Sequence, residues 1–322
     1  MSDALPPQSA LLVLGGLVAL YLGANALVKG AASLALRLGM SPLLVGLTVV
    51  AFATSTPELF VVVGAALDGR EGLSIGNVIG ANMLNTGLIL GLTALIMPLS
   101  VQFQLVRVDV PIMILAAVAL MLAAADGVIG RLDGGMFLGA IAGYLAFSVV
   151  MARREHSRRV LEEYREEAPH VSRHIGFDVG FVVLGVALLA GGAELLVSGA
   201  VGIARAAGLS DTVVGITVVA LGTTLPELVT SVLAAVRKHG DIAVGNVVGS
   251  NIFNVFCVIG FAATLHPLDA SGVARRELLT LLALSALVLP VMWRGYVVNR
   301  IEGGALVACY LAAIAFVLGA LD

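Results

Sequence analysis

Two glutamates, Glu58 and Glu227, stand in near-identical settings, Ala51-Phe-Ala-Thr-Ser-Thr-Pro-Glu58 and Ala220-Leu-Gly-Thr-Thr-Leu-Pro-Glu227. If these segments are helical, Thr54 and Ser55 precede Glu58 by four and three residues, and Thr223 and Thr224 precede Glu227 in the same way. That spacing puts each hydroxyl pair on the face of its own carboxylate. Pro57 and Pro226 have no amide hydrogen for the carbonyl four residues back, which frees the oxygens of Ala53 and Gly222 and predicts a bend in each helix. Carboxylate, hydroxyl and carbonyl oxygens are the hard ligands that calcium takes, about six to eight at a time.

A second pair of segments runs Gly76-Asn-Val-Ile-Gly-Ala-Asn-Met-Leu-Asn85 and Gly245-Asn-Val-Val-Gly-Ser-Asn-Ile-Phe-Asn254. Asn77, Ala81 and Asn85 recur every four residues, as do Asn246, Ser250 and Asn254, so each set lines one helical face. Their amide oxygens are neutral ligands beside two formal negative charges, and the glycines let helices approach closely. Asn82 and Asn251 lie off that face, where interhelical hydrogen bonding and ion contact are equally open readings.

The elements that must hold these residues follow from composition. Of 322 residues, 59% are hydrophobic and 12% charged, against about 25% charged in soluble proteins. Polar loops mark off ten apolar runs: 9–36, 42–67, 73–99, 109–125, 135–151, 175–204, 212–236, 242–265, 278–293 and 303–321. Each approaches the ~20 residues a helix needs to cross a bilayer. The runs are continuous where a barrel would alternate, so the expected fold class is an all-α integral membrane protein of ten transmembrane helices. Asp3, with no basic residue before the first run, predicts no cleaved leader.

The sequence also repeats itself. At a constant offset of 169, residues 23–85 align without a gap onto 192–254 with 28 identities in 63 positions, among them both glutamates, both prolines and every Asn named above. Five spans per copy is an odd number, so the second copy enters the membrane in the opposite orientation. Two inverted-topology five-helix repeats are a transporter architecture, with the site near the midplane at interrupted helices. The expected organisation is 1–151 (spans 1 to 5), a cytoplasmic linker at 152–174, and 175–322 (spans 6 to 10). The linker's six Arg and five Glu nearly cancel and read as a solvated connector. Loops on the side of the linker carry 12 Lys and Arg against 5 on the other, which predicts non-cytoplasmic termini in a multi-pass inner cell membrane protein.

Ionisable residues deep in a membrane mark ion pathways more often than structure, and here two stand at symmetry-related positions. A structural charge on either would need a partner such as Lys29 or Arg205. Glu194 aligns with Asn25 and reads as structural; Asp109 and Asp178 lie near span ends. Cys257 and Cys309 fall inside spans and read as small buried apolar groups. No Ser/His/Asp arrangement or phosphate-binding Gly-Lys loop is present and the five His lie in or beside loops, so neither an enzyme nor a cofactor is expected. The net charge of −3 points to no nucleic-acid partner, and no obligate protein partner is evident besides the membrane lipid.

Gly46-Leu-Thr-Val-Val-Ala-Phe-Ala-Thr-Ser-Thr-Pro-Glu58 with Gly76-Asn-Val-Ile-Gly, and their copies after Gly215 and Gly245, resemble the two alpha-repeats of the calcium/cation antiporter superfamily, in its prokaryotic sodium/calcium exchanger branch. The resemblance implies that Glu58 and Glu227 hold calcium centrally, with oxygen from Thr54 and Thr223. It implies flanking sodium sites drawing on the Ala51 and Ala220 carbonyls, on Thr54, Ser55, Thr223 and Thr224, and on Ser250, with Asn85 and Asn254 facing the central site. Ala81 stands where the family commonly has Ser, which removes a hydroxyl from one sodium site.

Charge competition then implies exchange, because two carboxylates are neutralised either by one calcium or by several sodium ions. Two other readings remain. Protons could replace sodium on the same fold, since burial favours protonated carboxylates, although the Gly-Asn-Ala-x-Glu context of proton exchangers is absent. A passive cation channel or a calcium-binding membrane receptor would use the same ligands without coupled exchange.

Overall fold

The computed structural model of the protein describes residues 7–38, 40–154, 174–206 and 220–319. Its helices in chain order are α1 (Pro7–Leu38), α2 (Pro42–Thr54), α3 (Thr56–Leu67), α4 (Glu71–Ile96), α5 (Leu105–Ala123), α6 (Arg131–Arg154), α7 (Ile175–Ala206), α8 (Ala220–Thr223), α9 (Leu225–Val236), α10 (Gly240–Leu265), α11 (Arg275–Trp293) and α12 (Arg300–Leu318). Among the described residues, eight helices are long and apolar enough to cross a bilayer, and α2 with α3, bent by 44°, makes a ninth span. The expected seventh span, 212–236, is described from Ala220 onward as α8 and α9. Most of the expected linker, 155–173, lies outside the described residues.

Burial divides the helices into a centre and a periphery. The most apolar stretch of α10 is 94% buried and that of α4 72%, against 11% for α12. The two amide-bearing helices thus form the core, while Phe60, Leu132 and Ile301 point outward. For a chain in lipid, outward apolar side chains are the expected surface.

Glycine sets the closest contacts. Helices α1 and α7 pack along their length, with Gly16 against Gly192, Gly23 against Gly185, Gly30 against Asp178 and Val182, and Gly199 against Ser9 and Val13. A Cβ at Gly16 would stand 2.6 Å from the Leu196 nitrogen, and one at Gly192 would stand 2.8 Å from the Leu20 nitrogen. Backbone meets backbone here, so small residues are obligatory. Arg37 and Asp178 close one end of this pair with an ion pair of 2.8 Å, the Asp178 side chain being fully buried. Gly192→Leu should drive α1 and α7 apart at an overpacking cost of about 1–3 kcal/mol, read as a fall of about 5 °C in the thermal midpoint in detergent.

Four two-residue strands tie the loops together. β1 (Leu99–Ser100) pairs antiparallel with β4 (Val297–Val298), and β2 (Val128–Ile129) with β3 (Leu268–Asp269). Adding 169 to β1 gives β3 and adding it to β2 gives β4, so each bridge joins the first strand of one copy to the second strand of the other. The bridge β1–β4 is extended by Val101, whose N–H donates to the Tyr296 carbonyl at 2.8 Å. Beside it, Gln102 Nε2 donates to Asp241 Oδ2 at 2.7 Å, at the start of α10.

Candidate functional site

The bends predicted at the prolines are breaks. α2 ends at Thr54, Ser55 takes φ −80° and ψ 3°, and α3 restarts at Thr56. In the second copy α8 ends at Thr223, Thr224 takes φ −91° and ψ 2°, and α9 restarts at Leu225. Glu58 and Glu227 therefore fall in the first turns of α3 and α9, where the positive end of the helix dipole favours an anion. Pro57 and Pro226 leave the carbonyls of Ala53 and Gly222 without their usual amide donors.

These breaks overturn one expectation. Thr54 and Ser55 do not share a helical face with Glu58, because no continuous helix carries the i to i+4 spacing across Ser55. Ser55 Oγ instead donates to Glu227 Oε1 at 3.3 Å, and Thr54 also stands beside Glu227. Reciprocally, Thr223 faces Glu58. Each carboxylate is thus flanked by hydroxyls of the opposite copy, close enough to the other carboxylate to be repelled by it. Both are completely buried.

Around them lies a polar lattice. The Thr54 hydroxyl donates to Asn246 Oδ1 at 3.0 Å and lies 3.4 Å from Ser250 Oγ and 3.3 Å from the Ala51 carbonyl, which already accepts the Ser55 N–H. Asn246 Nδ2 donates to Ser231 Oγ at 3.0 Å. Between α4 and α10, Asn82 Nδ2 donates to the Asn251 carbonyl, Asn85 Nδ2 to Asn251 Oδ1, Asn251 Nδ2 to Thr86 Oγ1 and Asn254 Nδ2 to Asn82 Oδ1, at 3.1, 3.2, 2.7 and 3.0 Å. Asn82 and Asn251 are therefore interhelical fasteners. At Asn85 and Asn254 both helices widen into π turns, Leu84–Ile89 and Asn254–Ile259, a feature frequent at functional sites.

Several buried polar atoms around the two glutamates are left without a partner. Both Glu58 oxygens, Glu227 Oε2, Asn85 Oδ1, Asn254 Oδ1 and Thr223 Oγ1 are buried without a hydrogen-bond partner. Every one can act as an oxygen ligand, and buried acceptors without partners are costly. Lys29 does not serve Glu58: its Nζ sits 4.7 Å from the centre of the Phe181 ring. Ala220 lies in α8, and Thr224 is buried at the second break. Ser231 and Thr86 escape a reading based on the repeat, since their mates are Val62 and Val255. Of the span-end acids, Asp109 accepts from Tyr144 Oη at 3.0 Å.

A helical protein with two broken spans meeting at a buried pair of carboxylates is a multi-pass membrane transporter of cations by its construction. Comparison with known proteins specifies it. The sequence profile described as Sodium/calcium exchanger protein matches residues 8–150 and again 177–319, and the chain belongs to this family. It is 33% identical to the sodium/calcium exchanger MaX1 of Methanosarcina acetivorans over 339 aligned positions, covering 94% of this chain and 96% of that one. It is 35% identical to the inner membrane protein YrbG of Escherichia coli, covering 89% of each. The fold matches the sodium-calcium exchanger NCX_Mj, from a crystal soaked with 2.5 mM Na+ and 0.1 mM Ca2+, with a TM-score of 0.82 and 31% identity over 95% of this chain and 97% of that one. The protein is a cation/calcium antiporter.

Proposed function

We propose that the protein exchanges sodium for calcium by alternating access, with Glu58 and Glu227 as the shared charged ligands. The observation that carries this reading is the cage itself: two buried carboxylates, one with both oxygens unpartnered and the other with one, surrounded by hydroxyl and amide oxygens. Calcium would take Glu58, Glu227, Thr54 and Thr223, with Asn85 and Asn254 facing it. Sodium would take the hydroxyls of Thr54, Ser55, Thr223, Thr224 and Ser250 and the carbonyls of Ala51 and Ala220. One divalent or several monovalent ions neutralise the same two charges, so the loads exclude each other. An empty site keeps two uncompensated buried charges, which opposes its crossing and couples the two fluxes.

The architecture we infer is ten spans in two inverted five-helix repeats, 1–151 and 175–322, joined by a cytoplasmic linker at 152–174, with both termini outside the cytoplasm. The crossed bridges support it: counted on ten spans, β1 and β4 lie in loops 3 and 9, and β2 and β3 in loops 4 and 8. Odd pairs with odd and even with even, as inversion requires. The bridges also leave α1 and α7 outside the tied frame, which suits that closely packed pair to moving as one against it.

Calcium-45 uptake into sodium-loaded proteoliposomes tests the function. Uptake driven by an outward sodium gradient, abolished by symmetrical sodium, is the expected result. Proton coupling is the second reading, favoured by the missing hydroxyl at Ala81, and a pH gradient driving uptake without sodium would establish it instead. Flux indifferent to both gradients would favour a channel, and binding without flux a receptor.

Ala81 allows a finer test. It is buried at the repeat position of Ser250, whose Oγ neighbours Thr54, while the matching Thr223 hydroxyl has no partner. Ala81→Ser should supply the absent oxygen and lower half-saturating sodium about threefold to tenfold, roughly the worth of one ordinary hydrogen bond, measured as sodium-dependent calcium release.

A further inference from the structure

Among the described residues nothing pairs with Glu194, which the sequence reads as a structural charge. Glu194 is the twentieth of the 32 residues of α7 and is exposed. Among the described residues it has neither a hydrogen bond nor an ion pair. It lies twelve residues from the end of α7, about 18 Å along the axis, which is hydrocarbon depth rather than interface. An ionised carboxylate at that depth belongs against water or inside the bundle.

Its position on the helix says which. Gly192, on the seam with α1, is two residues away and so about 200° round the axis. Val197, one turn further along, abuts Gly222 of α8, which carries Thr223 and leads to Glu227. Ser198, four residues on, is exposed on the same face. Glu194 and Ser198 thus make a polar strip near the Val197 contact with α8, the helix that carries Thr223. The repeat mates are Asn25 and Lys29 on α1, so both helices of the close pair carry polar residues at this position, and only the second copy makes it acidic.

We propose that Glu194 is an outer cation-recruiting residue: the face of α7 bearing Glu194 and Ser198 lines a water-filled route by which sodium and calcium reach Glu58 and Glu227. A fixed negative charge at the mouth of a low-dielectric channel raises the local cation concentration. It has no symmetry-related acid on α1, so the recruitment acts from one side of the membrane. This rests on the exchanger reading for the identity of the ions, while the presence of water at Glu194 does not depend on it.

The test uses the full chain in vesicles of known orientation, with Cys257 and Cys309 replaced by alanine and Glu194→Cys introduced. A cationic, membrane-impermeant methanethiosulfonate should label the cysteine from one side only, faster than its anionic analogue, and millimolar calcium should slow the labelling. In the otherwise native chain, Glu194→Gln should raise half-saturating calcium about threefold to tenfold and flatten its dependence on ionic strength, as expected when a charge that concentrates ions is lost; Glu194→Asp should restore both. Labelling only by a lipid-soluble maleimide, or the same ionic-strength dependence in Glu194→Gln as in the native chain, would overturn the proposal. Transport by Glu58→Gln in the same vesicles separates the two failures: if native protein exchanges and Glu58→Gln does not, the exchanger reading stands whatever Glu194 does.

Discussion

Glu58→Gln should abolish calcium uptake while leaving the fold intact, and Glu227→Gln should do the same. The substitution keeps the shape and one oxygen of the side chain but halves the charge of a completely buried site. Removing one member of a buried charge pair costs about 3–5 kcal/mol, which at 1.36 kcal/mol per factor of ten is a loss of roughly 10²- to 10³-fold or more in calcium affinity. Calcium-45 uptake at fixed sodium gradient reads it directly. Stability reads it with the opposite sign. Without cations the native chain holds two mutually repelling carboxylates and unpaired oxygens, so Glu58→Gln should match or exceed its thermal midpoint in the presence of a chelator. Calcium should raise the midpoint of the native protein by mass action and leave that of Glu58→Gln unmoved. A variant that still transported calcium near the native rate would remove Glu58 from the site.

The sequence carries this pair plainly because symmetry amplifies it. A single buried Glu could be a structural charge, but two at an offset of 169, each following a Thr and a Pro at matching positions, constrain each other. The apolar spans are legible for the same reason that lipid is demanding: each needs a long run without charge. What the sequence hides is how the copies face one another. Helical spacing assigns Thr54 and Ser55 to Glu58, yet the break at Ser55 hands them to Glu227. Spacing alone does not say where a helix stops being one. Ser231 and Thr86 are hidden because they have no counterpart in the other copy, and asymmetry is invisible to a repeat. Strands of two residues are too short for any alternation to register, so the crossed bridges emerge only when the loops meet in space.

Asn251→Leu is the substitution expected to damage the fold most. Asn251 is nearly fully buried between α4 and α10, and its side chain both accepts from Asn85 Nδ2 and donates to the Thr86 hydroxyl. Leucine is close in volume, so the loss is one of polarity rather than packing. It orphans the buried Asn85 amide at about 1–3 kcal/mol and removes one hydrogen bond, worth about 0.5–1.5 kcal/mol, from the Thr86 hydroxyl, which keeps its bond to the Asn82 carbonyl; the total is roughly 1.5–4.5 kcal/mol. Asn85 Oδ1 is buried without a hydrogen-bond partner, and the proposed site has it facing calcium. Releasing its amide lets that oxygen turn away, so calcium affinity should fall along with stability. Asn251→Asp separates the two effects, since its carboxylate still accepts from Asn85 but no longer donates to Thr86. Thermal unfolding in detergent and calcium-45 uptake, measured on both variants, should rank them native above Asp above Leu in stability. An Asn251→Leu protein as stable as the native chain would mean that the amide lattice does not hold α4 to α10, and that the packing of their apolar residues alone fixes the distance between Asn85 and Asn254.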